Sequence, residues 1–149
     1  MSDDRKPLFD PRFFAPENPD LLHVLSDRGD GLPWTIKHTV ADFFLQTPFQ
    51  YCNKGTYGHP GGFVHAGIHV ALTPLAYLVL APASLMLALW IALGEFVVHY
   101  HVDWAKEQFG RRMKATPQTA NYWHALGLDQ LAHGLTYVGI VAVLVWAMS

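Results

Sequence analysis

The sequence is short of charge. Lys, Arg, Asp and Glu together make up 15% of its 149 residues, where a soluble domain usually carries about 25%. It is shorter still of cysteine. Cys52 is the only one, which excludes an internal disulfide framework and any multi-cysteine zinc site. Basic residues are not in excess: the formal net charge is −2 with neutral histidines, and this argues against nucleic acid as a partner. No short basic-then-apolar leader opens the chain, so a cleaved export signal is not expected. What is abundant is apolar side chains, 51% of the total, and histidine, of which there are nine.

The few charges are unevenly spread. Residues 1–30 hold seven acids (Asp3, Asp4, Asp10, Glu17, Asp20, Asp27, Asp30) and four bases (Arg5, Lys6, Arg12, Arg28). The other 119 residues hold five acids and six bases. The chain therefore divides into a polar, largely irregular N-terminal tail (1–30) and a helical membrane domain (31–149). Within the tail, PENPDLLHVL reads as one short surface helix with Asp20 as its N-cap.

Three stretches are apolar and long enough to cross, or nearly cross, a hydrocarbon layer about 30 Å thick. Residues 63–80 run into the breaker APAS (81–84), and residues 85–109 return. Residues 123–148 contain no Lys, Arg or Glu. A less apolar helix is expected over 33–49, closed by Pro48 and followed by a Gly- and Pro-rich loop at 53–62. Pro74 predicts a kink in the second helix. The fold class is all-α: an integral membrane bundle of about four helices, the first of which need not span. Lys54, Lys106, Arg111, Arg112 and Lys114 fall in the loops after the first and third helices, and the turn at 81–84 carries no base. That asymmetry places the looped ends in the cytoplasm, with Trp104, Tyr122 and Trp123 at the same boundary.

Of the five acids after residue 30, four fall inside these helices. Ionisable groups at membrane depth are expensive and point to function. They form a pattern: HTVAD (His38, Asp42), HAGIH (His65, His69), HYHVD (His99, Asp103) and DQLAH (Asp129, His133). Each helix thus presents two metal-capable side chains at i and i+4, on one face. Counted from the looped ends at about 1.5 Å per residue, the four pairs reach a common level. Glu95 extends the His99–Asp103 stripe by one turn and is a candidate ligand, outer partner or general base. His23, His59, His101 and His124 fall outside the pattern.

Imidazole nitrogen and carboxylate oxygen suit a divalent metal: zinc first, with iron or manganese as alternatives. Eight donors exceed the needs of one zinc. They fit two ions, or one ion with an outer set of carboxylates orienting the imidazoles. The plainer alternative pairs each Asp with a His as polar glue between helices. Haem would leave three aspartates at the same level without a role.

At these motifs the chain resembles the small bacterial membrane proteins grouped as domain of unknown function 3307. The shared pattern is His38, Asp42, Phe43, Gln46 and Thr47, then Asn53 and Lys54; next His65 and His69; then His99, Asp103 and Lys106; and last Asp129, Gln130 and His133. The resemblance spans about residues 36–140. It implies a small multi-pass helical fold in the bacterial inner (cytoplasmic) membrane and no established activity. The acidic tail and the modest apolarity of the first helix depart from it. The spacing of the donors is also similar to that of zinc-dependent membrane amidases and hydrolases.

The expected function is metal-dependent hydrolysis of a lipid or other amphiphile, with His38, Asp42, His65, His69, His99, Asp103, Asp129 and His133 as metal ligands. Glu95 and Asp129 are the candidate catalytic carboxylates. The alternatives are a non-enzymatic metal-binding or accessory subunit of a larger membrane complex, and a di-iron oxidoreductase. The partners implied are the bilayer, the amphiphilic substrate and a homo-oligomer or larger complex.

Overall fold

A computed structural model describes residues 31–147; the expected tail helix and His23 lie outside the described residues. Every regular element among the described residues is helical: α1 (Leu32–Phe43), α2 (Pro48–Asn53), α3 (Pro60–Ala76), α4 (Leu85–Arg112) and α5 (Ala120–Trp146).

Prolines open three of these helices, where a missing N–H costs nothing and the fixed φ is already helical. This corrects the first expected helix. Pro48 does not close a helix running to Phe49; it starts a separate one. The residue before a proline is pushed out of the α region, and Thr47 is extended at φ −91°, ψ 163°. The break therefore falls between Phe43 and Pro48. Ser84 caps α4 by accepting from the Leu87 N–H at 3.2 Å, and Arg111 and Arg112 occupy the last turn of α4, where the helix dipole favours cations.

The helix at 63–80 is also shorter than expected and begins earlier, at Pro60. Pro74 lies in its last turn, and the chain leaves it through tighter bonds such as Val79 N–H to Ala76 O at 3.1 Å. The loop before it is correspondingly short. Gly58 turns it with φ +76°, a conformation open to glycine.

α3 packs on α1, α2 and α4, and α4 packs on α5; α1 meets α5 lightly. Near the 81–84 turn the interior is apolar, built from Trp34, Ala76, Leu80, Ile91, Tyr137, Ile140 and Leu144. Towards the looped end it becomes polar. Among the described residues, twelve polar or charged residues are buried against eleven apolar ones, while 29 large hydrophobic side chains are exposed. That distribution inverts the usual one for a protein in water. Among the described residues two helices, α4 and α5, are long and apolar enough to cross a membrane. At 12 residues, α1 is about 18 Å long, too short for a straight crossing.

Candidate metal centre

Helical periodicity turns one stripe of each helix inward. On α4 the buried residues Ile91, Glu95, His99 and Asp103 recur every fourth position. On α5 Ala125, Asp129, His133 and Tyr137 do the same. α3 contributes His65, His69 and Thr73, and α1 contributes Trp34, Lys37 and His38. The structure brings all eight proposed donors into one layer, with all five histidines at most 5% exposed.

Asp42 and Asp103 organise the layer. Asp42 Oδ1 lies 3.2 Å from His65 Nε2 and 3.1 Å from His69 Nε2, and its Oδ2 lies 3.2 Å from His38 Nε2. Asp103 Oδ2 lies 2.9 Å from His65 Nε2 and 3.3 Å from His99 Nε2. His133 Nε2 is 3.6 Å from Asp129 Oδ1 and 3.9 Å from Asp103 Oδ1. The rings crowd together, with centroids 3.7 Å apart for His69 and His99 and 4.3 Å for His99 and His133.

His69 Nε2 and Asp42 Oδ1 are hydrogen-bonded at 3.1 Å, but many of the other atoms are close without such a bond. Of eight buried side-chain polar atoms without a hydrogen-bond partner among the described residues, seven belong to the cluster: His38 Nε2, His69 Nδ1, both nitrogens of His99, Asp103 Oδ2, Asp129 Oδ1 and His133 Nε2. Such groups are costly to leave unpaired. Donor atoms converging on a cation sit differently: tetrahedral bonds of about 2.0 Å put neighbouring donors about 3.3 Å apart. The observed separations bracket that value. Three sets of three or four donors have ligand atoms all within 4.8 Å of one another: Asp42, His65, His69 and His99; His38, His99 and His133; and Asp103, Asp129 and His133.

A second ring of side chains holds several donors in place, as metal sites commonly require. The Tyr137 hydroxyl lies 3.1 Å from His38 Nδ1, turning Nε2 inward. Gln46 and Gln50 meet His65 Nδ1 at 3.2 and 3.4 Å. Gln130 donates to Asp129 Oδ2 at 3.2 Å and leaves Oδ1 facing the cluster. The remaining histidines are elsewhere. His59 is not a freely solvated loop residue: it caps α3 by accepting from the Gly61 N–H at 3.0 Å. His101 is exposed beside Tyr57 at 3.3 Å, and His124 is exposed.

Two lysines were not anticipated at the site. Lys54, expected among the cytoplasmic loop bases, is buried and donates to Asp103 Oδ1 at 3.0 Å. Lys37, one residue before His38, pairs with Glu95, whose other oxygen accepts from the Thr73 hydroxyl. Glu95 does point inward, but its partners are these two groups and not the His–Asp layer. The available signal was Lys37 itself, since a lone base inside an apolar helix must find a counter-charge.

Helix faces that are polar within and apolar without, closed around an inward-facing layer of imidazoles and carboxylates, define a small helical protein with a candidate metal centre. The chain belongs to the protein family of unknown function DUF3307, whose sequence pattern matches residues 32–149. No curated protein and no solved structure matches it.

Proposed function

We propose that this chain is a multi-pass bacterial inner-membrane protein, a bundle of about four helices, that binds a divalent cation, zinc first, and uses it to hydrolyse a lipid or other amphiphile. The observation that carries the metal reading is His99: 1% exposed, with both ring nitrogens unpartnered and His38, His65, His69, His133 and Asp103 around it. Polar glue between helices would leave such a ring hydrogen-bonded, whereas a buried ring with neither nitrogen bonded suits a metal ligand. The membrane reading rests on the outward apolar surface. Only 22% of the most apolar window of α4 and 28% of that of α5 are buried inside the protein, unlike the core helix of a soluble domain.

A bound divalent cation would polarise a substrate carbonyl and acidify water. The chain's own residues supply the rest. Asp129 lines an apolar groove of about 410 Å³ between α4 and α5, together with Val102, Ala105, Phe109 and Leu128. An acyl chain lying there from the lipid side brings its polar end to the donor layer. With one ion at the Asp42, His65, His69 and His99 end, Asp129 Oδ1 is the carboxylate oxygen left to take a proton, because Lys37 and Thr73 engage both oxygens of Glu95. Glu95 is accordingly a positioning residue.

The test is metal analysis of full-length protein purified in detergent without a histidine tag. It is followed by EDTA-sensitive hydrolysis of a medium-chain acyl ester in micelles. Stoichiometric zinc, with turnover abolished by EDTA and by Asp129→Asn, supports the reading. Bound zinc without hydrolysis of ester, amide or phosphodiester amphiphiles leaves an accessory metal protein. Iron with redox activity makes it an oxidoreductase, and protein free of metal after zinc loading removes the centre altogether.

A further inference from the structure

Resting on the metal reading above, we propose that the centre holds two divalent cations side by side, bridged by Asp103, with Lys54 competing for the second. The donors divide by helix. Asp42, His65 and His69 come from α1 and α3, and with His99 they form one set of mutually close ligand atoms. Asp103, Asp129 and His133 come from α4 and α5 and form another, which shares no residue with the first. His38 and His99 lie between, in a set with His133.

A single tetrahedral ion takes four donors, and the buried orphans show what it would leave behind. An ion held by Asp42, His65, His69 and His99 leaves Asp129 Oδ1 and His133 Nε2 without a partner at the other end of the layer. An ion held by Asp103, Asp129 and His133 leaves both nitrogens of His99. Two ions engage both ends. Asp103 has the orientation of a bridge, because its two oxygens face different histidines: Oδ2 faces His65 and His99 at 2.9 and 3.3 Å, and Oδ1 faces His133 at 3.9 Å.

Charge makes the two positions unequal. Three carboxylates and the Lys54 ammonium amount to two net negative charges, which one dication neutralises. The second ion enters where Lys54 now donates to Asp103 Oδ1 at 3.0 Å. Lys54 reaches this point from the residue just after α2, on a flexible stem, so it can withdraw. The geometry therefore assigns a tight first ion and a weaker second ion that displaces the lysine.

Zinc titration of the full-length, metal-stripped protein in detergent should show two unequal steps and two ions per chain at saturation. Manganese loading should give the electron paramagnetic resonance signal of an exchange-coupled pair, a measurement on the unaltered protein. Lys54→Met should tighten the second step by at least about tenfold, the effect of removing a like charge a few ångströms away. Asp129→Ala with His133→Ala should abolish that step and keep the first. One ion per chain at saturating zinc in both the native protein and Lys54→Met, or an uncoupled manganese signal, overturns the proposal and leaves a mononuclear centre. No bound ion at all overturns the metal reading on which it rests.

Discussion

Lys37 on α1 and Glu95 on α4 form an ion pair in which neither side chain is more than 3% exposed. The same ammonium donates to the His69 carbonyl of α3 at 2.9 Å and lies over the rings of Trp34 and Tyr137, 5.5 and 5.1 Å from their centroids. Glu95 also accepts from Thr73 of α3. One pair thus ties three helices together just beyond the His–Asp layer. It anchors α1, at 12 residues the shortest of the three helices it joins.

Removing one partner strands the other in a low-dielectric interior, which costs about 3–5 kcal/mol. Glu95→Gln should therefore lower the melting temperature clearly while leaving metal content unchanged. Lys37→Met combined with Glu95→Met should recover most of the loss, since an apolar pair of similar volume carries no stranded charge. Thermal denaturation in detergent, paired with metal analysis, checks both points. If Glu95→Gln loses the metal, Glu95 belongs to the centre itself.

Tyr137 offers a test of the outer ring of side chains. Tyr137→Phe keeps the ring that packs 5.6 Å from Trp34 and deletes the hydroxyl 3.1 Å from His38 Nδ1. Loss of such an orienting contact typically weakens a metal site about 10–100-fold. Zinc affinity from competition with a chelator should fall by that order while the fold survives. Unchanged affinity would place His38 outside the coordination set.

Two glycines of α3 should respond in opposite ways. A Cβ at Gly61 would lie 2.7 Å from the Phe49 carbonyl oxygen and 2.9 Å from Asn53 Cβ, forcing α2 away from α3. A Cβ at Gly67 meets nothing within 4 Å. Gly61→Ala is expected to destabilise by about 1–3 kcal/mol. Gly67→Ala should be neutral or stabilising by up to about 1 kcal/mol through helix propensity. Melting temperatures of the two variants, measured side by side, decide the matter.

The sole cysteine reports topology without engineering. Cys52 is exposed on α2, at the looped end. With that end in the cytoplasm, a membrane-impermeant maleimide should label it in inverted vesicles and leave it unlabelled in intact cells with a permeabilised outer membrane. Labelling in intact cells reverses the proposed orientation.

The sequence by itself determined what depends on near neighbours. Spacing of four residues puts His38 with Asp42, or Asp129 with His133, on one face, because an α-helix turns once in about 3.6 residues. Pro48, Pro60 and the 81–84 breaker set where helices can start and stop, although the role of Pro48 as a beginning needed the extended Thr47 beside it. The motif order also carried the family. Only the tertiary structure decided which residues meet across helices. Lys37 and Glu95 are 58 residues apart, and Lys54 and Asp103 are 49 apart. No local periodicity links either pair. A lysine's reach made Lys54 read as a loop cation when its stem carries the charge into the interior. The division of donors between Asp42 and Asp103, and the unpartnered ring of His99, likewise follow from how α1, α3, α4 and α5 pack. Side-chain direction at that scale is set by the contact of helix surfaces, which one-dimensional spacing does not contain.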